Sequence, residues 1–347
     1  MAYTTIPDPS AQFQPTTYTG NGGAQTITNI GNSNLKPDLV WIKYLGAGDN
    51  VLVDSTRGAT KELKSNNNGA ESTASNGVTG FVTDGFTANG AGDYNGSGGN
   101  YVSWQWKANG GTTATNTDGS VTSYTQANTT AGFSMVKWTG NTNGNFTVGH
   151  GLGAVPKVLV VKKFSNTSNW YCRYAAALNG NNSVLYWNSN NAEASESTVW
   201  YSTAPTSSVF TIGTDANLAT GSDYIAYCWA PIKGYSHFGN YQGDGISAGP
   251  FVYTGFRPAY IMIKNISVGQ SWIVFDSRRP GYNETNKSLN ISESGAEETG
   301  RIIDICSTGF KIRSTNTACN GDNNYHVYMA FAEQPLVSSG ITNVGFV

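Results

Sequence analysis

Residues 257–264, Arg-Pro-Ala-Tyr-Ile-Met-Ile-Lys, hold the pattern that determines the fold: a proline, a short run of strand-forming residues and a closing lysine. The pattern recurs at 36–43, Lys-Pro-Asp-Leu-Val-Trp-Ile-Lys, and at 155–162, Val-Pro-Lys-Val-Leu-Val-Val-Lys. Apolar runs this short and rich in β-branched residues favour strands that are covered on both faces. Proline is best tolerated at the start of a strand. We therefore expect three core strands, each beginning at its proline.

Further landmarks follow each run in the same order. They are a turn segment (51–57, 170–174 and 273–278), a segment around a phenylalanine (83–87, 207–211 and 307–311) and an aromatic strand (101–107, 224–230 and 326–332). Glycine, asparagine, serine and threonine fill the loops between them, which is turn chemistry rather than helix chemistry. The sequence predicts an all-β protein made of three tandem repeated β-sandwich units.

The repeats also predict domain boundaries. Sandwich units are expected over 18–107, 131–234 and 235–347, the last with a C-terminal tail, and a Gly/Thr-rich linker over 108–130. Residues 1–17 are expected to form an extended N-terminal arm, because they are rich in proline and contain no apolar run of strand length.

The arm is a candidate for assembly. Tyr3, Ile6 and Phe13 give it some apolar surface, but too little for a core of its own. A proline-rich segment loses little conformational entropy when it docks, so we expect the arm to hold a neighbouring subunit of a homo-oligomer. A disordered terminus is the alternative.

Composition excludes several classes of function. Only 12% of residues are charged and the net charge is -2, which argues against binding to nucleic acid through charge. No apolar stretch reaches the roughly 18 residues of a membrane span, and the first residues lack the form of a secretory signal. We expect a soluble protein with no membrane insertion.

No cofactor or metal site is predicted. The four cysteines, Cys172, Cys228, Cys306 and Cys319, have no metal-binding spacing and are interpreted as free thiols. The Asn/Asp/Gly loops contain oxygen ligands that calcium could use, but not the alternation of a calcium loop, so calcium binding is left open.

Catalytic patterns are also absent from the sequence. No GxSxG motif occurs, and His326 takes the position that tyrosine has in the other repeats, so a structural role is favoured. Asp54 and Asp276 are each followed closely by arginine (Arg57, and Arg278 or Arg279), which favours ion pairs that tie turns rather than a glycosidase pair. We expect a protein that is not an enzyme.

Three aromatic residues lie outside the repeat landmarks. Trp187, Trp200 and Tyr201 occur among asparagine, serine and threonine, as exposed aromatics of sugar- or protein-binding surfaces do. We take them as a candidate binding surface; packing beneath a long loop is the alternative.

Several segments resemble a group of tailed-bacteriophage virion structural and tail-fibre-like proteins, common in phages of marine and cyanobacterial hosts. They are 1–14, 18–23, 37–43, 54–60, 83–87, 148–153, 203–210 and 249–258, of which the last, Gly-Pro-Phe-Val-Tyr-Thr-Gly-Phe-Arg-Pro, is the most specific. The chain differs from the resembled pattern at Pro7, where an acidic residue is expected, and at His326, where an aromatic is expected.

The resemblance implies a non-enzymatic virion structural protein, assembled in the host cytoplasm, in a tail-fibre or host-facing position. The implied partners are other virion proteins, copies of itself and a host surface glycan or protein receptor. A capsid decoration or head-fibre protein is the alternative, and a polysaccharide-degrading tail enzyme is the third possibility.

Overall fold

The computed structural model describes residues 4–90, 92–142, 144–280 and 283–335, and their fold is all-β, which confirms the predicted class. The described strands of the first β-sandwich, sandwich 1, are β1 (Phe13–Thr19), β2 (Gln25–Ile27), β3 (Leu39–Tyr44), β4 (Asn50–Asp54), β5 (Lys61–Lys64), β6 (Ser72–Thr73), β7 (Val78–Val82), β8 (Gly85–Ala88) and β9 (Asn100–Trp106).

The next two sandwiches follow along the chain. The described strands of sandwich 2 are β10 (Ala114–Asn116), β11 (Ser123–Asn128), β12 (Phe133–Thr139), β13 (Phe146–Gly149), β14 (Val158–Lys163), β15 (Trp170–Tyr174), β16 (Ser183–Tyr186), β17 (Ala194–Ser195), β18 (Val209–Ile212) and β19 (Asp223–Trp229). Those of sandwich 3 are β20 (Ser236–Gln242), β21 (Phe251–Tyr253), β22 (Phe256–Asn265), β23 (Ile273–Asp276), β24 (Leu289–Asn290), β25 (Ile303–Cys306), β26 (Gly309–Ile312) and β27 (Tyr325–Pro335). Single-turn helices, α1 (Ser197–Trp200) and α2 (Thr317–Asn320), and 3-10 turns at Pro9–Ala11 and Gly180–Asn182 complete the described elements.

Each sandwich combines a large antiparallel sheet with a small one. The large sheets have the strand orders β1-β9-β3-β4-β5-β6 in sandwich 1 and β20-β27-β22-β23-β24 in sandwich 3. Sandwich 2 has the same order, β12-β19-β14-β15-β16-β17, with β11 and β10 added outside β12. The small sheets are β2-β8-β7, β13-β18 and β21-β26-β25. The last strand of each sandwich therefore lies beside β1, β12 or β20, which are equivalent strands.

The pairing register is also the same in the three large sheets. The residue two positions after each recurring proline pairs with an aromatic residue of the closing strand: Leu39 with Trp106, Val158 with Trp229 and Tyr260 with Phe331. Superposition of the three sandwiches on one another stays a prediction.

None of the three prolines is the first residue of its strand, so the expectation that the strands begin at the prolines is wrong. Pro37 and Pro156 lie two residues before β3 and β14. Pro258 lies inside β22, which starts at Phe256. The pairing with β27 shifts on both sides of Pro258. Such a bulge accommodates a residue that has no N–H to donate to the ladder.

Both faces of each large sheet are buried. Successive side chains of a strand point to opposite faces, so each strand contributes residues to two cores. In β19, Tyr227 and Trp229 belong to a central core that contains residues of all three sandwiches. The alternate residues Ala226 and Cys228 belong to the core between the two sheets of sandwich 2. The large sheets therefore surround one shared centre, and each also carries its own small sheet on its other face.

Equivalent backbone hydrogen bonds close the three sandwiches into a ring. In each, the N–H of a glutamate donates to the carbonyl oxygen of the residue that follows the core strand of the next sandwich. The pairs are Glu71 to Phe164 (2.8 Å), Glu193 to Ile266 (3.0 Å) and Glu297 to Leu45 (2.8 Å). The third bond returns from sandwich 3 to sandwich 1. One chain therefore has the closed cyclic arrangement that is usual for a symmetric trimer.

The described part of the predicted N-terminal arm packs into sandwich 1. Residues 13–17 belong to β1, and Phe13 lies in the central core. Ile6 is buried in the same core. Pro15 is compatible with this strand because β1 is at the edge of its sheet, where a missing N–H removes no ladder bond. Ile6 and Phe13 are therefore not available to a neighbouring subunit, and Tyr3 lies outside the described residues.

The segment predicted to be a linker, 108–130, also belongs to a sheet. It contains β10 and β11, which extend the large sheet of sandwich 2 beyond β12. Its Gly/Thr-rich composition hid two short strands, because threonine favours strands as well as loops. The tail predicted after sandwich 3, from residue 336 onward, lies outside the described residues.

Candidate functional site

Two of the three aromatics predicted to form a binding surface are buried, so this prediction is wrong for them. Trp187 is 0% exposed and stacks on Trp41 of sandwich 1, with ring centroids 4.8 Å apart. Trp200 is 1% exposed, and its indole N–H donates to the carbonyl of Ser183 at 2.9 Å. Polar neighbours in sequence concealed both side chains, which reach from loops into cores. Tyr201 is 47% exposed and remains a candidate.

Tyr201 borders a shallow polar hollow. The hollow has a volume of about 390 Å³ and is lined by Ser197, Thr198, Tyr201, Ser202 and Thr214. Tyr201 and Ser202 both have left-handed backbones, with φ angles of 51° and 52°. This conformation is uncommon outside glycine and often marks functional sites. One exposed aromatic ring surrounded by hydroxyl groups can stack on a sugar ring and hydrogen-bond to it.

The predicted ion pairs are present, and they tie turns as expected. Asp54 accepts hydrogen bonds from the backbone N–H of Thr56 and Arg57 and from Arg57 Nε, which lies 2.6 Å from Oδ2. Asp276 is bound in the same way, by the backbone N–H groups of Arg278 and Arg279 and by Arg279 Nε at 2.7 Å. The ion pair is therefore formed by Arg279. Each arginine side chain is 1% exposed, so these are buried pairs. Carboxylates bound on both oxygens are held as structural groups.

Each of these positions also touches the next sandwich. The hydroxyl of Tyr227 donates to Asp54 Oδ2 at 2.7 Å, and Trp104 Nε1 donates to Asp276 Oδ2 at 3.2 Å. In sandwich 2 the corresponding residue is Tyr174, whose hydroxyl lies 3.6 Å from the sulfur of a methionine in sandwich 3. The three contacts are cyclic, as the backbone bonds are. Burial and the Asp54 charge raise the pKa of the Tyr227 hydroxyl well above its ordinary value.

Three buried lysines were not singled out for chemistry from the sequence. Lys43, Lys162 and Lys264 end the recurring apolar runs, and burial lowers their pKa values to about 8, 7 and 7. An amine with such a pKa can serve as a base. Each ammonium group here donates to backbone carbonyls, however, and those of Lys162 and Lys264 include carbonyls of the preceding sandwich, Asn68 and Asn190, both at 3.0 Å. These contacts place Lys162 and Lys264 at the seams between sandwiches.

The histidines lie apart from one another and from the aspartates. His326 is fully buried in β27, stacked on Tyr241 with ring centroids 4.9 Å apart. His150 is buried, with Nε2 3.1 Å from the carbonyl oxygen of Thr206. His237 is half-buried beside Tyr328. Burial lowers the pKa of all three, that of His326 to about 4.

The buried His326 predicts a pH dependence of stability. Its pKa is about 4 in the folded protein and near 6.5 when exposed, so between these values the unfolded chain binds more protons. The free energy of unfolding should therefore keep its full value above pH 6.5. It should fall by up to roughly 3 kcal/mol as the pH drops to 4. His326→Tyr, which introduces the residue present at 101 and 224, should reduce this loss in urea titrations at several pH values. Identical pH profiles for both proteins would contradict the prediction.

A wide open groove lies between sandwiches 2 and 3. It has a volume of about 800 Å³ and runs beside the first residues of β20. Its walls come from Lys157 and residues 175–176 of sandwich 2, from residues 231, 233–234 and 236–238, and from Tyr253 at the end of β21. The side chain of Tyr253 is 57% exposed. The groove was not predicted, because its walls lie far apart in the sequence.

Within the described ranges, no cluster of three or more His, Cys, Asp or Glu residues is placed to hold a metal ion. The four cysteines are unpaired, and Cys306 is the least buried of them. No helix in the same ranges has the length and apolar character needed to cross a membrane.

Comparison with known proteins gives one match. A family model described as Domain of unknown function (DUF7483) matches residues 8–335, which span all three sandwiches. No curated protein and no solved structure matches the chain.

Proposed function

The chain belongs to the family described as Domain of unknown function (DUF7483), and we propose that it is a non-enzymatic structural protein of a bacteriophage virion, in a tail-fibre or other host-facing position. One observation carries the proposal: buried charged groups that could serve chemistry instead hold the sandwiches together. Asp54, Asp276 and the lysines at 162 and 264 all contact a neighbouring sandwich.

The architecture supports a structural role. A closed ring with a shared apolar centre resists local opening, because each sandwich is held by the other two. The small sheets and their loops lie on the outside of this frame, where their sequences can vary at little cost to the core. These are properties that a durable particle component needs. Copies of the same chain and other virion proteins are the proposed assembly partners.

A capsid decoration or head-fibre position is the alternative within the same structural class. Mass spectrometry and a cryo-EM map of purified particles would distinguish the two positions, because a host-facing fibre and a capsid ornament occupy different parts of the density. Absence of the protein from purified particles would contradict both.

The Tyr201 hollow supports contact with a host surface glycan or protein receptor. We expect Tyr201→Ala to weaken binding to host surface polysaccharide by about tenfold, since stacking on one aromatic contributes about 1 kcal/mol or more. Tyr124, which is 49% exposed, offers a matched control, and Tyr124→Ala should bind as the parent does. Isothermal titration with purified polysaccharide gives the comparison.

The same mixtures test the absence of enzyme activity. After prolonged incubation, the polysaccharide should keep its length distribution in size-exclusion chromatography. Shortened chains would identify a polysaccharide-degrading tail enzyme and overturn the proposal. Equal binding by Tyr201→Ala and the parent protein would remove the hollow as the contact site.

A further inference from the structure

One edge strand of the ring has unpaired backbone groups. β20 pairs with β27 on one side and has no described strand on the other. The N–H of Ala332 donates to the carbonyl of Tyr235, so this pair is a hydrogen-bonded pair of the antiparallel ladder. Hydrogen-bonded and non-hydrogen-bonded pairs alternate along such a ladder. The N–H and C=O groups of Phe238 and Asn240 therefore point away from β27. Within the described part of the chain, these groups have no backbone hydrogen-bond partner. Such an edge is a template for a further strand.

The equivalent edge of sandwich 2 is covered by the chain itself. β11 pairs with β12 in antiparallel orientation along its whole length. Its Gln126 hydrogen-bonds to Ser55 and Thr56 of sandwich 1, with Nε2 2.9 Å from Thr56 Oγ1. Its Ser123 donates to the carbonyl of Gly149, in the small sheet, at 2.7 Å. β11 therefore fills the space between β12, the neighbouring sandwich and the small sheet.

The groove along β20 is equivalent to the space that β11 fills beside β12, but no described strand fills it. By the shared pairing register, residues 175–176 take the positions of 55–56, because each pair follows the residue opposite the start of a core strand. Tyr253 takes the position of Gly149, since each follows the valine paired with the recurring phenylalanine. The chain passes from β19 to β20 through 230–235 alone, whereas 107–132 is long enough to hold β10 and β11.

The third equivalent edge, in sandwich 1, is blocked over its first residues. At the position of Phe238, β1 has Pro15, which has no N–H to offer an added strand. At the position of Ala176 stands Arg278, and the hollow beside the first residues of β1, at Phe13 to Pro15, holds only about 20 Å³. A separate hollow of about 470 Å³ lies farther along the strand, at Thr17 to Thr19, and is lined by Arg278 and Arg279. Proline and charged side chains are common means of protecting an edge strand. Among the described edges equivalent to β12, that of β20 is therefore the one whose first residues are neither covered by a strand nor blocked by proline.

The charge of the groove indicates the chemistry of its partner. In the covered site, Asp38 accepts from the N–H groups of Ala108 and Gly110, near the C-terminal end of β11. In the open site, Lys157 takes the position of Asp38, and Lys233 takes that of Gly110. The described lining contains no acidic residue. An acidic side chain at the end of an added strand would face both ammonium groups.

We propose that the β20 edge binds an extended segment of a partner protein, antiparallel to β20 and with an acidic residue at its C-terminal end. Backbone hydrogen bonds to Phe238 and Asn240 supply affinity, as in other complexes formed by strand addition. The ammonium groups of Lys157 and Lys233 select the partner and fix its direction. The inference does not depend on the virion assignment.

A peptide with the sequence of residues 121–128 followed by two glutamates is the probe, since the first part already pairs with an equivalent edge. Its binding to the intact protein is measured by fluorescence anisotropy. Asn240→Pro removes an outward N–H and should leave the β27 ladder intact, so we expect about tenfold weaker binding. Asn240→Ala loses the same side-chain bond to Ala176 but keeps the N–H, and should bind within about threefold of the parent.

Charge is tested separately by replacing the two glutamates of the peptide with glutamine. The parent protein should prefer the glutamate peptide, and Lys157→Glu should prefer the glutamine peptide. Amide hydrogen exchange should show new protection at Phe238 and Asn240 when the peptide is bound, and thermal unfolding checks that each variant is folded.

Several results would overturn the proposal. They are absence of peptide binding at millimolar concentration, equal affinities for Asn240→Pro and Asn240→Ala, and protection of the same amides by a neutral oligosaccharide instead. A doubled mass of the protein alone, lost in Asn240→Pro, would assign the edge to a second copy of this chain and so overturn the choice of partner.

Discussion

Replacing Arg57 with alanine should lower the free energy of unfolding by about 3–5 kcal/mol, as expected when one partner of a buried ion pair is removed. Arg57 Nε lies 2.6 Å from Asp54 Oδ2, and its Nη1 and Nη2 donate to Glu71 and to the carbonyl of Leu52. The truncation leaves the Asp54 carboxylate buried, with only the Tyr227 hydroxyl and backbone N–H groups to stabilise its charge. Equilibrium unfolding in urea measures the change.

An exposed ion pair provides the control for Arg57. Arg313 lies 2.7 Å from Asp304, but its side chain is 43% exposed. Arg313→Ala should cost no more than about 1 kcal/mol, because water screens such a pair. Similar losses for the two variants would mean that the buried pair does not stabilise the seam between sandwiches 1 and 2.

Replacing Trp106 with alanine should cost a similar amount, about 3–5 kcal/mol, but through a cavity at the centre of the ring. The Trp106 ring lies 6.2 Å from that of Trp229, 5.8 Å from that of Tyr260 and 5.6 Å from that of Phe331. Its removal therefore weakens the packing of all three sandwiches together. We expect one cooperative transition at lower urea concentration, followed by fluorescence and by hydrogen exchange in each sandwich.

Tyr124→Ala is the control for Trp106, since this exposed side chain should contribute less than about 0.5 kcal/mol. Separate transitions for the three sandwiches in Trp106→Ala, with two of them unchanged, would contradict a shared core.

The strands could be predicted where the residues themselves carry the signal. The run Val158–Val161 is apolar on both faces, and in the fold its residues alternate between the central core and the core of sandwich 2. The Asp54–Arg57 pair was predictable because both members lie in one turn. Pro15 was misleading, since proline disfavours a central strand but is accepted by an edge strand such as β1.

The candidate site was less predictable, because it depends on contacts between distant parts of the chain. Trp187 appears among asparagines and serines, and only its packing on Trp41 shows that it is buried. The groove along β20 joins Lys157 to Tyr253, which no local pattern connects. Comparison with β11 identifies the groove as an uncovered strand edge, and β11 itself lies in a segment whose composition indicated a linker. Such features depend on tertiary packing and not on the local secondary-structure propensity of the residues.

Because the ring is a single chain with three different repeat sequences, its three equivalent edge strands need not be covered or exposed in the same way. A trimer of identical subunits would expose three open edges or none, whereas here one edge is covered by β11, one is blocked at Pro15 and one is open. In the terms of polymer chemistry, the molecule is monovalent through this edge. A monovalent unit can be attached to a larger body or can terminate a growing one, but it cannot cross-link. If β20 binds a partner strand as proposed, the covalent connection sets the stoichiometry at one partner strand per chain.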